Sequence, residues 1–131
     1  IDWVPIRFST RRIPYEEMVA WFDKSDICWI TPLRDGLNLV AKEYAAARKN
    51  RDGVLVLSEF TGASVLLNGA VLTNPYSHRR MDEAIEEAIN MPIEEQKQRM
   101  SVMTKAVESY TVNDWADEQM SSFLTENTRD D

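Results

Sequence analysis

Apolar positions along the chain fall into two spacings. Ile27 to Thr31 and Val54-Leu55-Val56-Leu57 are continuous apolar runs of strand length, and the second is apolar on both faces, as in a parallel sheet covered by helices. Trp3 to Phe8 and Ala70 to Thr73 read as two shorter strands, the first carrying Pro5 and the second ended by Asn74-Pro75. Elsewhere apolar residues recur at helical spacing. Pro14 opens a helix to Lys24, with Glu16 and Glu17 in its first turn and Met18, Val19 and Phe22 on one stripe. Leu37 to Arg48 places Leu37, Val40, Ala41, Tyr44 and Ala45 on one face, and Arg79 to Asn90 turns Met81, Ala84, Ile85 and Ala88 inward. A short helix at Phe60 to Leu67, one from Pro92 to Ser109, and a last one from Asn113-Asp114-Trp115 to Leu124 complete the pattern, and 125–131 read as a frayed polar tail.

Four strands alternating with helices predict an α/β layer with a parallel sheet, a partial doubly wound domain over residues 1–124. Such sheets take ligands beyond the carboxyl ends of their strands. Two loops are expected there: Thr31 to Gly36 and Ser58 to Gly62.

Composition bounds the picture without filling it. At 131 residues and 44% hydrophobic, the chain suits one domain with a real core. A net charge of -7 disfavours nucleic acid as a partner, because phosphate neutralisation wants a basic surface. No apolar run approaches membrane-spanning length and no signal peptide is evident, so a cytoplasmic location is expected. The chain opens at Ile1 without an initiator Met and reads as part of a longer protein. The lone Cys28, in an apolar run, reads as a core thiol that leaves no internal disulfide. One histidine, His78, in a polar basic stretch, supports no triad, and no cluster has metal-ligand spacing. Trp3, Trp21, Trp29 and Trp115 fall within helix or strand patterns and are expected in the core, and Met81, Met91, Met100, Met103 and Met120 read as gap-fillers.

Two segments carry candidate chemistry. Asp35-Gly36 sits between a buried strand and a helix. Gly36 allows close backbone approach, and the amides of Gly36, Leu37 and Asn38 are expected to be uncapped at the helix start, an anion site ready for a diphosphate. Asp35 is placed to accept sugar hydroxyls and Glu43 to reach a ribose diol. The alternative is that Asp35 only caps the helix while Lys42 and Glu43 are its solvated side. Ser58 to Gly62 is a second small-residue loop, either a ligand approach or a surface turn with an N-cap. Arg7, Arg11 and Arg12 form a local basic cluster, either a phosphate or nucleotide contact or a solvated turn.

The run Asp26-Ile27-Cys28-Trp29-Ile30-Thr31-Pro32-Leu33-Arg34-Asp35-Gly36-Leu37-Asn38-Leu39-Val40-Ala41-Lys42-Glu43-Tyr44 strongly resembles the trehalose-6-phosphate synthase family of retaining glycosyltransferases. The likeness continues through Gly53 to Ala63, Thr73-Asn74-Pro75-Tyr76, Met91-Pro92 and Asp114-Trp115-Ala116. It implies a Rossmann-like three-layer domain, the C-terminal, donor-binding half of a GT-B enzyme. It further implies that Asp35 is a clamp on glucose hydroxyls and not a nucleophile. Gly36, Leu37 and Asn38 would hold glucose and diphosphate through their backbone, Leu39 and Val40 line the nucleotide pocket, Glu43 binds ribose, and Arg12 and Ile13 lie beside the base. No metal or other cofactor is expected, and the partners are a sugar nucleotide, a phosphorylated acceptor and an upstream acceptor-binding domain; a homo-oligomer stays open.

Within the family, Cys28-Trp29-Ile30, Leu37, Ser58 to Ser64 and Gly69 to His78 with Arg80-Met81-Asp82 resemble glucosylglycerol-phosphate synthases. These move glucose, typically from ADP-glucose, to glycerol 3-phosphate on the way to a compatible solute. Trehalose-6-phosphate synthase proper, using UDP-glucose and glucose 6-phosphate, is the alternative enzyme, and a non-catalytic binding or regulatory module is the alternative class. The family's basic diphosphate-binding pair matches no residue here. Residues 1–131 alone are therefore expected to bind sugar nucleotide weakly and to transfer no glucose, which a product assay on the isolated chain would check.

Overall fold

The structure is a computed structural model that describes residues 3–126. Three strands, β1 (Ile27–Ile30), β2 (Val54–Ser58) and β3 (Val71–Thr73), form a parallel sheet in the order β1-β2-β3. Ile27 lies opposite Val54, and Val56 opposite Val71. Among the described residues six helices surround or extend it: α1 (Tyr15–Lys24), α2 (Leu39–Ala47), α3 (Ala63–Leu66), α4 (His78–Asn90), α5 (Ile93–Ser109) and α6 (Val112–Glu126).

All five residues of β2 are buried. Alternation along the strand sends Leu55 and Leu57 to one face, where they meet Phe22, Ala41, Tyr44, Ala45, Met100 and Met103 from α1, α2 and α5. Val54 and Val56 face the other way, with Val71, Ala84, Ala88 and Met91 beneath α4. The result is the parallel α/β layer expected from the strand–helix alternation, in the three-layer, Rossmann-like form that the family resemblance implied. Leu57 is fully buried, so Leu57→Ala would cost about 2–5 kcal/mol.

The amino ends of β1 and β2 are tied together by polar groups. Arg48, 3% exposed, donates to the Asp52 carbonyl at 2.7 Å, to Asp52 Oδ1 at 3.0 Å and to the Asp23 carbonyl at 2.8 Å. The Tyr44 hydroxyl donates to the Ser25 carbonyl at 3.3 Å, and the Gly53 amide to Gln96 Oε1 at 3.1 Å. Gly53 has φ +121°, and a Cβ there would stand 2.7 Å from the Tyr44 hydroxyl, so both backbone and space require glycine.

Several expectations are corrected. Trp3 to Phe8 is not a strand: Trp3, Ile6 and Phe8 are exposed, and among the described residues no strand pairs with this segment. A strand lacking a ladder partner leaves its amides and carbonyls to water, and Pro5 removes one donor. The sheet therefore has three strands among the described residues. The helix expected from Leu37 begins at Leu39, with Leu37 and Val40 outward. The helix expected from Phe60 is confined to Ala63–Leu66. Trp3, Trp21 and Trp115 are exposed at 76%, 52% and 42%, so core packing accounts only for Trp29, which packs against the cluster under α4. Met120 is exposed as well. His78 is exposed and opens α4, one residue ahead of the helix expected from Arg79. The last helix continues to Glu126, and 127–131 of the expected tail lie outside the described residues.

Burial pushes the Cys28 thiol from 9.0 up to about 11 and the Tyr44 phenol from 10.0 up to about 12. Below about pH 9 both groups keep their protons folded or unfolded. Above it the unfolded chain releases protons that the folded chain holds, so stability falls as pH rises. The melting temperature is expected to drop between about pH 9 and about pH 12, and a Cys28→Ala/Tyr44→Phe variant to drop less. An equal drop in both proteins would refute this.

Candidate functional site

The site lies at the carboxyl ends of β1 and β2. The chain leaves β1 through Thr31-Pro32 and turns at Asp35 before α2. The Asp35 carboxylate organises this turn. Its Oδ1 accepts from the amides of Leu37 at 3.1 Å and Asn38 at 3.0 Å, and its Oδ2 accepts from Asn38 Nδ2 at 2.9 Å. Asn38 sits at φ 51°, a left-handed conformation that asparagine tolerates better than most residues, and its Oδ1 caps α2 by accepting from the Ala41 amide at 3.0 Å. The cap of α2 is thus Asn38, and Asp35 holds the cap.

This corrects the expectation that the amides at the helix head are free. Those of Leu37 and Asn38 already serve a carboxylate. The partner of these two amides is a carboxylate supplied by the turn itself.

The second candidate loop touches the first. The Asp35 amide donates to the Phe60 carbonyl at 3.2 Å, and the Gly62 amide to the Asp35 carbonyl at 3.1 Å. Asp35 and Thr61 form a parallel bridge that continues the β1–β2 pairing past the strand ends. Phe60 and Tyr76 stand beside it as an edge-to-face pair, 5.6 Å between ring centres. Neither the aromatic pair nor the bridge was anticipated; the proximity of the two loops follows from β1 and β2 being neighbours in the sheet.

Leu39, Val40 and Glu43 occupy the first turns of α2. Leu39 and Val40 are exposed at 58% and 43%, and Glu43 is half-buried with no side-chain hydrogen bond or ion pair among the described residues. Lys42, on an adjacent flank, lies 5.9 Å from the Tyr110 ring centre. A hollow of about 310 Å³ opens against Gly36, Leu37 and Gly62, with Lys42, Tyr110 and Trp115 on its far wall. Arg12 and Ile13 line a separate hollow of about 510 Å³ with Tyr15 and Met18, into which no residue of the Asp35 turn enters. A wider hollow at the α5–α6 elbow, about 670 Å³, is walled by Asp114, Asp117 and Glu118, the wrong sign for a diphosphate.

Of the basic cluster, Arg11 is taken up by an ion pair with Glu17. Among the described residues no group of three or more His, Cys, Asp or Glu is arranged to hold a metal ion, and no helix is long and apolar enough to cross a membrane.

Known proteins resemble this chain in sequence and in fold. The family model for Glycosyltransferase family 20 matches residues 1–125. A glucosylglycerol-phosphate synthase of Picosynechococcus sp. is 54% identical over 116 residues, covering 88% of this chain and 23% of the relative. A trehalose-6-phosphate synthase of Mycolicibacterium gilvum is 47% identical over 111 residues, covering 85% and 22%. A solved E. coli structure described as trehalose-6-phosphate bound with UDP-2-fluoro glucose superposes with a TM-score of 0.84 at 36% identity, covering 92% of this chain and 27% of that one. The chain therefore spans about a quarter of the length of the relatives it matches. With 125 consecutive residues under one family model and the same α/β domain in a solved relative, the chain belongs to glycosyltransferase family 20.

Proposed function

We propose that this chain is the donor-binding part of a retaining glucosyltransferase that moves glucose from ADP-glucose, or another nucleoside diphosphate glucose, to glycerol 3-phosphate. Gly36 carries the reading. Its φ lies outside the left-handed region, and a Cβ added to it would meet nothing within 4 Å. Neither the backbone nor the packing of this protein requires glycine there. Open space beside the Asp35 turn suits the close approach of a ligand.

The residues divide the work accordingly. Asp35 uses three of about four acceptor positions on its carboxylate, leaving room for a glucose hydroxyl. A carboxylate held by three donors is rigid and weakly nucleophilic, which fits a clamp. The diphosphate is proposed to meet the same helix head, beside the amides of Leu37 and Asn38 that Asp35 holds in place. Leu39 and Val40 supply apolar wall to the nucleotide, and Glu43 an unengaged acceptor for ribose hydroxyls. Arg12 and Ile13 are proposed to meet the base from their own hollow.

In the transfer, the bond from glucose C1 to the diphosphate oxygen breaks and a bond from C1 to the acceptor hydroxyl oxygen forms. The acceptor proton passes to the departing diphosphate on the same face. The work at this end is electrostatic: backbone amides stabilise charge that grows on the leaving group. The acceptor-binding groups belong to a further domain of the longer enzyme.

The choice of acceptor rests on the higher identity to the Picosynechococcus enzyme. The second reading, trehalose-6-phosphate synthase, is favoured by the fold match to the E. coli protein. A binding module without catalysis is disfavoured by the intact Asp35 and Glu43.

Assays of the full-length protein with glycerol 3-phosphate and glucose 6-phosphate, each with ADP-glucose and UDP-glucose, decide between them. Faster transfer to glycerol 3-phosphate is expected; preference for glucose 6-phosphate selects the second reading, and no binding of either donor selects the third. Asp35→Ala is expected to weaken donor binding about tenfold to a hundredfold, the worth of about 1.5–3 kcal/mol for a hydrogen bond to a charged group. Gly36→Ala is expected to weaken donor binding while leaving the melting temperature within about 2 °C, since its methyl enters open space. Titration calorimetry and thermal melts check both.

A further inference from the structure

We infer that Gly62, on the loop after β2, is a positioning residue for the donor turn at Asp35–Asn38. The inference rests on the donor-site reading above and adds a residue that acts through the turn it supports.

Gly62 has φ -61° and ψ -31°, a conformation open to any L-residue. It is the N-cap of α3, and its right-handed conformation is one that alanine adopts without strain. Backbone freedom therefore does not explain the glycine, and proximity does. A Cβ at Gly62 would lie 1.9 Å from the Gly36 carbonyl oxygen and 3.0 Å from its carbon. Both are backbone atoms, so no rotamer change in a side chain relieves the contact. Something must shift, and the atom in the way belongs to the turn that carries Asp35.

The hydrogen bonds make that shift consequential. The Gly62 amide donates to the Asp35 carbonyl while the Asp35 amide donates to the Phe60 carbonyl. The loop is itself fixed to β2: the Phe60 amide donates to Ser58 Oγ at 3.2 Å, and the Thr61 hydroxyl to the Ser58 carbonyl at 3.1 Å. Ser58 and Thr61 are buried at 0% and 3% exposure. The support thus runs from the buried end of β2, through Gly62, to the Asp35 turn. Any side chain at position 62 pushes against Gly36 and carries Asp35 with it.

Gly69 provides a matched control. A Cβ there would lie 2.3 Å from the Arg99 carbonyl oxygen, comparable crowding against backbone of α5 and none against the Asp35 turn. In the full-length protein, Gly62→Ala and Gly69→Ala are both expected to lower the melting temperature. Only Gly62→Ala is expected to raise the donor Kd and KM, by about tenfold to a hundredfold, the scale of an ångström-sized misplacement. Its acceptor KM stays within about twofold of the parent.

Donor constants for Gly62→Ala within about twofold of those for Gly69→Ala would overturn the inference. If Gly62→Ala does not fold, Ser58→Ala serves. It removes the acceptor that holds Phe60 and adds no volume, so donor affinity falls about twofold to tenfold with acceptor KM unchanged. Unchanged donor affinity in Ser58→Ala then counts against the inference. Asp35→Ala, titrated alongside with ADP-glucose and UDP-glucose, separates the two levels. If it leaves donor affinity intact, the donor-site reading fails. If it weakens donor binding while Gly62→Ala behaves as Gly69→Ala does, only the role of Gly62 fails.

Discussion

Strand β2 has no surface. Every residue from Val54 to Ser58 is buried, and that single fact governs the rest of the chain. A strand covered on both faces needs two helical layers, and a parallel neighbour needs a helical crossover to reach it. α1, α2 and α5 supply one layer and α4 the other. Because the strands are parallel, β1 and β2 end on the same edge, and the loops that leave them emerge side by side. The candidate site is a consequence of that shared edge.

What happens at the edge is an exchange of roles between backbone and side chain. Asp35 gives its carboxylate to the helix head, and its own amide and carbonyl to the neighbouring loop. Every polar group it carries is engaged before any ligand arrives. The turn is therefore held from two directions, by a left-handed asparagine on one side and by the β2 loop on the other. Such a turn reorganises little on binding, which is how a site converts contact into affinity or rate rather than into ordering.

Much of this was legible in the order of residues. The apolar runs at Ile27 and Val54 and the helical spacing of Met18, Phe22, Tyr44, Ala84 and Ala88 placed the sheet and the two helical layers. The Asp35–Glu43 segment was legible twice, as a strand-to-helix junction and as a family resemblance. Three features were not. The segment Trp3 to Phe8 has a strand's composition, but composition does not supply a partner, and none is present among the described residues. The tryptophans look like core residues because large rings usually are, yet three of them find no layer to enter. Asp35 was read as choosing between capping and binding, whereas the carboxylate has enough lone pairs for both. The close approach of Gly36 and Gly62 was hidden for another reason. It joins residues 26 positions apart, and only the sheet order brings them together.

The opposite edge of the sheet tells the other half of the story. Arg48, Tyr44, Gln96 and Gly53 lace together the amino ends of β1 and β2, on the far side of the strands from Asp35. A strand four or five residues long separates the two ends, roughly 13–17 Å at about 3.3 Å per residue. Changes at such a distance, with no shared partners, combine nearly additively. The amino-edge lacing and the candidate site thus stand at different ends of the same short strands. The carboxyl edge can therefore be rewritten by substitution while the amino edge keeps a reserve of stability.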